Sequence, residues 1–155
     1  MTDDIRAAMW KAMAQSPILM VKLDRSHDHA EPLIAQLDED AHGKFWFYIS
    51  RDNRIAPGGQ AMAQFAARDH HLFCCISGTL TEEKDPAVID RYWSPTVAGW
   101  YDGGREDPDL LMLRFDLEDA EIWQPDSSLK GLFRLMSGKG DEPRSMGTHE
   151  VVSLK

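Results

Sequence analysis

Cysteine is scarce in this chain, and a basic character is absent. Cys74 and Cys75 are its only cysteines among 155 residues. Neighbouring side chains on a strand point to opposite faces, so a bridge between them would need a strained geometry. Both are read as reduced thiols, which fits a cytoplasmic compartment. Lys and Arg number 17 against 26 Asp and Glu, a formal net charge of −9. A nucleic-acid backbone calls for a basic face and an anionic lipid surface for a basic patch, so neither partner is expected. No apolar run approaches the about 20 residues of a membrane-spanning helix. One such run, Ile18-Leu19-Met20-Val21, stops at Lys22, and none exceeds five residues. The start, Met1-Thr2-Asp3-Asp4, is acidic where a secretory signal is basic. The familiar catalytic signatures G-x-S-x-G, H-E-x-x-H and G-x-G-x-x-G are missing. Gly138-Lys139-Gly140 lacks the spacing of a phosphate loop and reads as flexible tail.

What is present is the composition of a globular domain: 43% hydrophobic and 28% charged residues. The length fits one domain at ~100–200 residues per domain. Ile5, Ala8, Met9, Ala12 and Met13 recur at helical spacing and predict a helix over 3–14. Strands are expected at 18–23 and 30–37. Lys44 to Ser50 is the strongest strand of the chain, with Phe45, Trp46, Phe47, Tyr48 and Ile49 in a row. It shows no alternation, so both of its faces should be covered. Residues 60–67 carry Ala and Met at helical spacing and predict a short helix. A strand is expected over 71–80, where Gly78 marks a bulge or a close approach. Asp85-Pro86 is an N-cap followed by proline at the first helical position. A second short helical piece follows Ser94-Pro95. Two late strands are expected, one around Leu111 to Asp116 and one at Ala120 to Gln124. Leu129 to Met136 fits helix or strand, and the glycine-rich stretch after it is expected to be mobile in part. About six strands without βαβ alternation point to an antiparallel barrel or an α+β domain.

Several side chains are candidates for chemistry. His27 and His29 have the i, i+2 spacing of a metal pair on one strand face, but they sit in a polar turn and no third ligand is evident. His70-His71 near Cys74-Cys75 offers one histidine and one cysteine per face at most, and burial explains them as well. Asp38-Glu39-Asp40 has the charge for a hard cation and equally the character of a solvated hairpin. No metal site is expected. Trp123 fits either a core residue or the wall of a planar aromatic ligand. The loop Arg51-Asp52-Asn53-Arg54 is either a solvated turn or an anion-binding loop presenting two guanidinium groups and an amide.

Several segments together resemble one family. They are Phe45-Trp46-Phe47-Tyr48-Ile49-Ser50-Arg51-Asp52, Ile76-Ser77-Gly78-Thr79-Leu80, Tyr92-Trp93-Ser94-Pro95, Trp100-Tyr101-Asp102-Gly103-Gly104, Asp107-Pro108-Asp109-Leu110 and Ala120-Glu121-Ile122-Trp123. In this order they resemble the general stress protein 26 family, a branch of the pyridoxamine 5′-phosphate oxidase-like split barrels, over about residues 4–136. The resemblance implies a mainly β fold with peripheral helices, a six-stranded antiparallel split β-barrel (the FMN-binding split barrel) spanning 1–136, with 137–155 as a tail. It implies a homodimer that binds FMN, sometimes FAD, in grooves at the dimer interface. Carried over by position, the flavin ring would lie near Glu31, Pro32 and Leu33 and near Phe47, Tyr48 and Ile49. The phosphate would meet Ser50, Asn53 and Arg54, and Trp123 would come from the partner. The chain departs from the family at Glu31, where an arginine usually precedes the proline of the second strand.

The expected function is that of a flavin-binding general stress-type protein, with a weak flavin-dependent oxidoreductase activity as its enzymatic form. The ring itself carries such redox chemistry, so the missing acid–base set does not exclude an enzyme. The alternative is a dimeric split-barrel binding protein that has lost flavin, favoured by Glu31. A haem-binding barrel, with His27, His29 or His42 as axial ligand, is the third and weakest reading.

Overall fold

The computed structural model describes residues 2–39, 41–125 and 147–154. It begins with helix α1 (Thr2–Gln15). Strands β1 (Ile18–Leu23), β2 (Glu31–Ile34), β3 (Gln36–Asp38), β4 (Ala41–Ser50), β5 (Gly59–Ala66) and β6 (Phe73–Glu82) follow. Helices α2 (Pro86–Arg91) and α3 (Pro95–Ala98) then lead to β7 (Leu110–Pro125) and β8 (Gly147–Ser153). Every pairing is antiparallel, in the order β2-β1-β5-β6-β7-β4-β3, with β8 beside β7. The two ends of this path, β2 and β3, are consecutive in the chain and separated by Ala35 alone. One interrupted strand therefore starts on β1 and finishes on β4, and the sheet closes on itself. Counting β2 and β3 as one gives the six strands of the expected split barrel, and β8 is an addition.

Three parts differ from the sequence expectation. Residues 60–67 are not a helix but most of β5. Ala61, Ala63, Phe65 and Ala67 are buried while Gln60, Gln64 and Ala66 are exposed, a period of two written in residues that also favour helices. The two late strands are one strand of sixteen residues. Polar Glu118-Asp119 does not end it, because Glu118 is the extra residue of a bulge: Leu117 pairs with Gly78 and Asp119 with Ser77. Gly78 is also a close approach, since a Cβ there would lie 2.4 Å from the Asp116 carbonyl oxygen. Residues 147–153, read as tail, form β8, and Val152 and Leu154 enter the core. The expected boundary at 136/137, the element at 129–136 and Gly138-Lys139-Gly140 lie outside the described residues.

The apolar side chains form two clusters on opposite sides of β4. Phe45, Phe47 and Ile49 point into the barrel with Leu113, Phe115, Ile76 and Ile122, and α1 covers this core with Ile5, Met9 and Met13. Trp46 and Tyr48 point outward into a second cluster with Ile89, Val97, Tyr101, Leu110 and Met112. The absence of alternation in β4 thus has its reason: α2 and α3 fold back over the outer face. Asp85 caps α2 by accepting from the Ala87 N–H (3.0 Å), and Ser94 caps α3 by accepting from Val97 (3.2 Å). Buried polar groups anchor this cover. The Tyr48 hydroxyl donates to the Ile89 carbonyl and the Tyr101 hydroxyl to the Ile49 carbonyl, each at 2.6 Å. Trp46 Nε1 donates to buried Glu83 at 3.0 Å.

Candidate functional site

β3 pairs with β4 only from Asp38↔Ala41 to Gln36↔Trp46, whereas β4 continues to Ser50. Extending that register would set Ile34 opposite Tyr48, Leu33 opposite Ile49 and Pro32 opposite Ser50. Instead β2 pairs on its other side with β1, from Ile18↔Ile34 to Val21↔Glu31. Pro32, which has no N–H to give to a ladder, sits in this edge. The barrel is thus split between β2 and the second half of β4. Two strand edges run side by side there with no ladder between them, while the strands remain neighbours.

The candidate residues divide by how they meet this split. Glu31, Pro32 and Leu33 form one lip. Phe47, Tyr48 and Ile49 form the other, but with backbone only. The side chains of Phe47 and Ile49 are core, and that of Tyr48 lies under α2–α3, where burial pushes its hydroxyl up to about 12. No side chain of these three is placed to stack on a ligand in the split. Ser50 ends β4 and its carbonyl accepts from the Asn53 N–H at 3.0 Å. Asn53 Oδ1 accepts from the Ile55 N–H at 2.9 Å, so the side chain offers its NH2 donors outward.

The two arginines of the loop turn opposite ways. Arg51 Nε donates to the Pro108 carbonyl (3.1 Å), and its backbone N–H donates to Asp109, which ties it to the β7 side. Arg54 turns to the β2 side. Its Nη1 donates to the His29 carbonyl at 2.9 Å and its Nε lies 3.6 Å from Glu31 Oε2. The other carboxylate oxygen, Glu31 Oε1, is buried without a hydrogen-bond partner. The structure therefore joins Glu31 to Arg54, two residues assigned to different parts of the ligand.

Trp123 stands apart. Its ring stacks on His149 of β8 at 4.9 Å and 6°, and His149 Nε2 is 2.9 Å from Glu121 Oε1. His149 and Glu121 were not singled out by sequence. Neither was the cavity of about 610 Å³ beside the loop, lined by Arg25, Ser26, Asp28, Arg54, Gly58 and Gln60 among others. The Pro57-Gly58-Gly59 stretch was its one visible signal. Gly58 has φ +70°, and a Cβ there would meet the Leu80 carbonyl oxygen at 2.7 Å.

The other candidates have structural places. Asp38 is buried, 3.0 Å from both Arg91 Nη2 and the Tyr92 hydroxyl, joining β3 to α2. Asp40 and the side chain of His42 lie outside the described residues. His27 and His29 are exposed in the turn before β2, and among the described residues no three acidic, histidine or cysteine side chains converge. Asp107 accepts from the Gly103 N–H (2.8 Å) and the Asp109 N–H (2.9 Å), so the Asp107-Pro108-Asp109 motif is a staple of the loop before β7. Those two hydrogen bonds hold its carboxyl below the usual range. Both cysteines are free; burial pushes the Cys74 thiol up to about 12 and raises that of Cys75. No helix among the described residues is long and apolar enough to cross a membrane.

Comparison with known proteins agrees with the motifs. The model of a family described as pyridoxamine 5′-phosphate oxidase like matches residues 4–142. No curated protein matches the chain. Among solved structures, a protein described as a general stress family member from Xanthomonas campestris pv. campestris is 41% identical. The match covers 83% of this chain and 92% of that one, with a TM-score of 0.76. The general stress FMN/FAD binding protein of Xanthomonas citri is also 41% identical, over 83% and 94% of the two chains, with a TM-score of 0.75. A protein described as general stress protein 26 from Jannaschia sp. CCS1 shares the fold at 24% identity, over 99% of each chain, with a TM-score of 0.78. The chain belongs to the pyridoxamine 5′-phosphate oxidase-like family, alongside its general stress members.

Proposed function

We propose that the chain is a cytoplasmic, homodimeric flavin-binding protein of the general stress type. Flavin lies along the split between β2 and β4, and the protein serves as a weak flavin-dependent oxidoreductase. The observation that carries this reading is the split itself. It is a slot between two strand edges that ends at a loop with Ser50, Asn53 and Arg54 as donors for a phosphate. The donor set fits, and the orphaned Glu31 Oε1 fits a hydroxyl or N–H of the ligand. The relative from Xanthomonas citri supports the same ligand class.

Bound flavin would supply hydride and electron transfer. The chain's share is to hold and orient it. Backbone groups of Pro32 to Ile34 and of Phe47 to Ile49 define the slot, and Arg54 meets the phosphate. The Glu31 pair does not bar that role. A half-exposed ion pair at 3.6 Å is worth about 0–1 kcal/mol. A hydrogen bond from arginine to phosphate is worth about 1.5–3 kcal/mol.

The resemblance implies a dimer, and the aromatic strand without a solvent face points the same way, but the chain covers the outer face of β4 itself. The support now comes from β1 and β2, whose outer face leaves Ile18, Met20 and Ile34 exposed, with Ile18 paired to Ile34 and Met20 to Pro32. Trp123, with His149 against it, then belongs to the partner's side of the groove.

The test is the visible spectrum of the purified protein, followed by titration with FMN. A flavin envelope and saturable binding are expected. A Soret band would favour the haem reading instead. No chromophore and no uptake of FMN would leave the flavin-free dimeric binding protein, the alternative that the Glu31–Arg54 pair favours.

A further inference from the structure

We infer that Arg51 and the Asp107-Pro108-Asp109 segment are positioning residues for the loop at the end of the split. They do not meet the ligand. They hold Ser50, Asn53 and Arg54 in the geometry that receives its phosphate. The inference rests on the flavin reading of the split and deepens it by naming what builds the phosphate end.

A relay of hydrogen bonds starts behind the loop. Asp107 Oδ2 accepts from the Gly103 N–H (2.8 Å) and Oδ1 from the Asp109 N–H (2.9 Å). The Asp107 carbonyl accepts from the Leu110 N–H at 3.1 Å. Proline at 108, with its φ fixed, removes a further freedom. The segment so held presents its carbonyls to Arg51. The Asp109 carbonyl accepts from the Arg51 N–H (3.0 Å), just beyond the last rung of the β4–β7 ladder, Ser50↔Leu110. The Pro108 carbonyl accepts from Arg51 Nε at 3.1 Å. From Arg51 onward the loop is a run of tight turns. The Ser50 carbonyl accepts from the Asn53 N–H, that of Asn53 from Ala56, and that of Ile55 from Gly58. The direction set at Arg51 is thereby passed on to Asn53 and Arg54. A loop fixed in advance loses less freedom when a ligand docks on it.

Arg51 acts in this relay through the place of one donor and not through its charge. Its Nη2 lies 3.7 Å from Glu82 Oε2 with both side chains half-exposed, which balances the guanidinium and adds little strength. The bond to Pro108 is made by Nε. Glutamine carries Nε2 at the same number of bonds from its backbone. Arg51→Gln therefore keeps the donor and removes the charge, whereas Arg51→Ala removes both.

Equilibrium titrations of FMN and riboflavin into the full-length protein, at one pH and ionic strength, test this. Arg51→Ala is expected to weaken FMN about tenfold and riboflavin less than about threefold. Arg51→Gln should hold FMN within about threefold of the parent. Asp107→Ala removes a negative charge, which by Coulomb attraction alone would tighten an anion. It is expected to weaken FMN about threefold or more instead. The inference is overturned if Arg51→Gln binds FMN as poorly as Arg51→Ala, which would make the charge the active part. It is overturned equally if Asp107→Ala tightens FMN, or if Arg51→Ala leaves FMN unchanged. An equal loss for both ligands also overturns it, because a general loosening of the fold does not single out the phosphate. Each of these results leaves the flavin reading standing. Failure of both ligands to bind the parent protein overturns the flavin reading, and this inference with it.

Discussion

The outer faces of β4 and of β1–β2 are both apolar, yet they have opposite fates. On β4, Trp46 and Tyr48 are covered by the chain's own α2 and α3. On β1 and β2, Ile18, Met20 and Ile34 stay exposed. The difference lies in what the intervening sequence supplies. Between β6 and β7 the chain spends two capped helices and a loop stapled by Asp107 on covering one face. Between β1 and β2 there is only the polar turn from Asp24 to Ala30, too short to cover anything. An apolar face with its own lid belongs to folding, and the one without a lid is the face proposed above for assembly.

The largest effect should come from the lidded side. Trp46→Ala removes an aromatic that stacks on Tyr92 at 4.9 Å and takes the Nε1 donor from buried Glu83. Unfolding by denaturant should show a loss of about 3–5 kcal/mol. A loss below about 1 kcal/mol would mean the lid is not part of the cooperative unit.

The open side should respond in assembly instead. Ile34→Asp places a charge in the exposed apolar pair with Ile18. Light scattering at micromolar concentration should report a dimer for the parent and a single chain for the variant. A monomeric parent, or a variant that stays dimeric, would reverse the assignment of the two faces.

Glu31 and Arg54 lie where the open side meets the split. Glu31→Arg restores the residue usual in the family and removes a negative charge beside the phosphate position. FMN should bind tighter by ~1–3 kcal/mol. No gain in a titration at fixed ionic strength would count against this register of β2.

The smallest effect concerns alkaline pH. Burial first, and for Tyr92 the Asp38 hydrogen bond next, push the hydroxyls of Tyr48 and Tyr92 up to about 12. In the unfolded chain they ionise near the usual value of about 10. The folded state therefore holds protons that the unfolded state releases, and stability falls as pH rises from about 10 towards 12. Melting curves across that interval should show the fall, and Tyr48→Phe should flatten it. An unchanged slope in the variant would assign the alkaline loss to other groups.

The same contrast explains what was legible in the sequence. The bounds of β1, the cap at Asp85-Pro86 and the close approach at Gly78 rest on local chemistry, and local chemistry is written in adjacent residues. β5 was misread because Ala61, Ala63 and Met62 are good helix formers; only their pairing with β1 and β6 makes them strand. β7 was divided at Glu118-Asp119 because a bulge cannot be told from a turn without its partner strand. In the candidate site, Arg54 was visible as a loop cation. Its pairing with Glu31 was not, because the split that brings them together is made by the closure of the whole sheet. His149 was missed because its place depends on β8, which has no signal of its own beyond Val151 and Val152.

The break at Ala35 has a consequence for how this barrel folds. β1 and β2 form one local hairpin, and β3 and β4 form another. These two hairpins share a single strand segment interrupted at one residue. Closing the barrel therefore needs no additional search between distant parts of the chain. Once β1 docks on β5 and β4 docks on β7, the two sheet ends are already tethered through Ala35. The entropy of ring closure is then the small one of a very short loop. The slow, long-range steps are left to the β4–β7 and β1–β5 pairings. A chain cut between 34 and 36 would keep the pairing of both hairpins but lose the tether, and with it the hydrogen bond from the Ala35 N–H to the Pro17 carbonyl. Such a cut should slow refolding far more than it speeds unfolding.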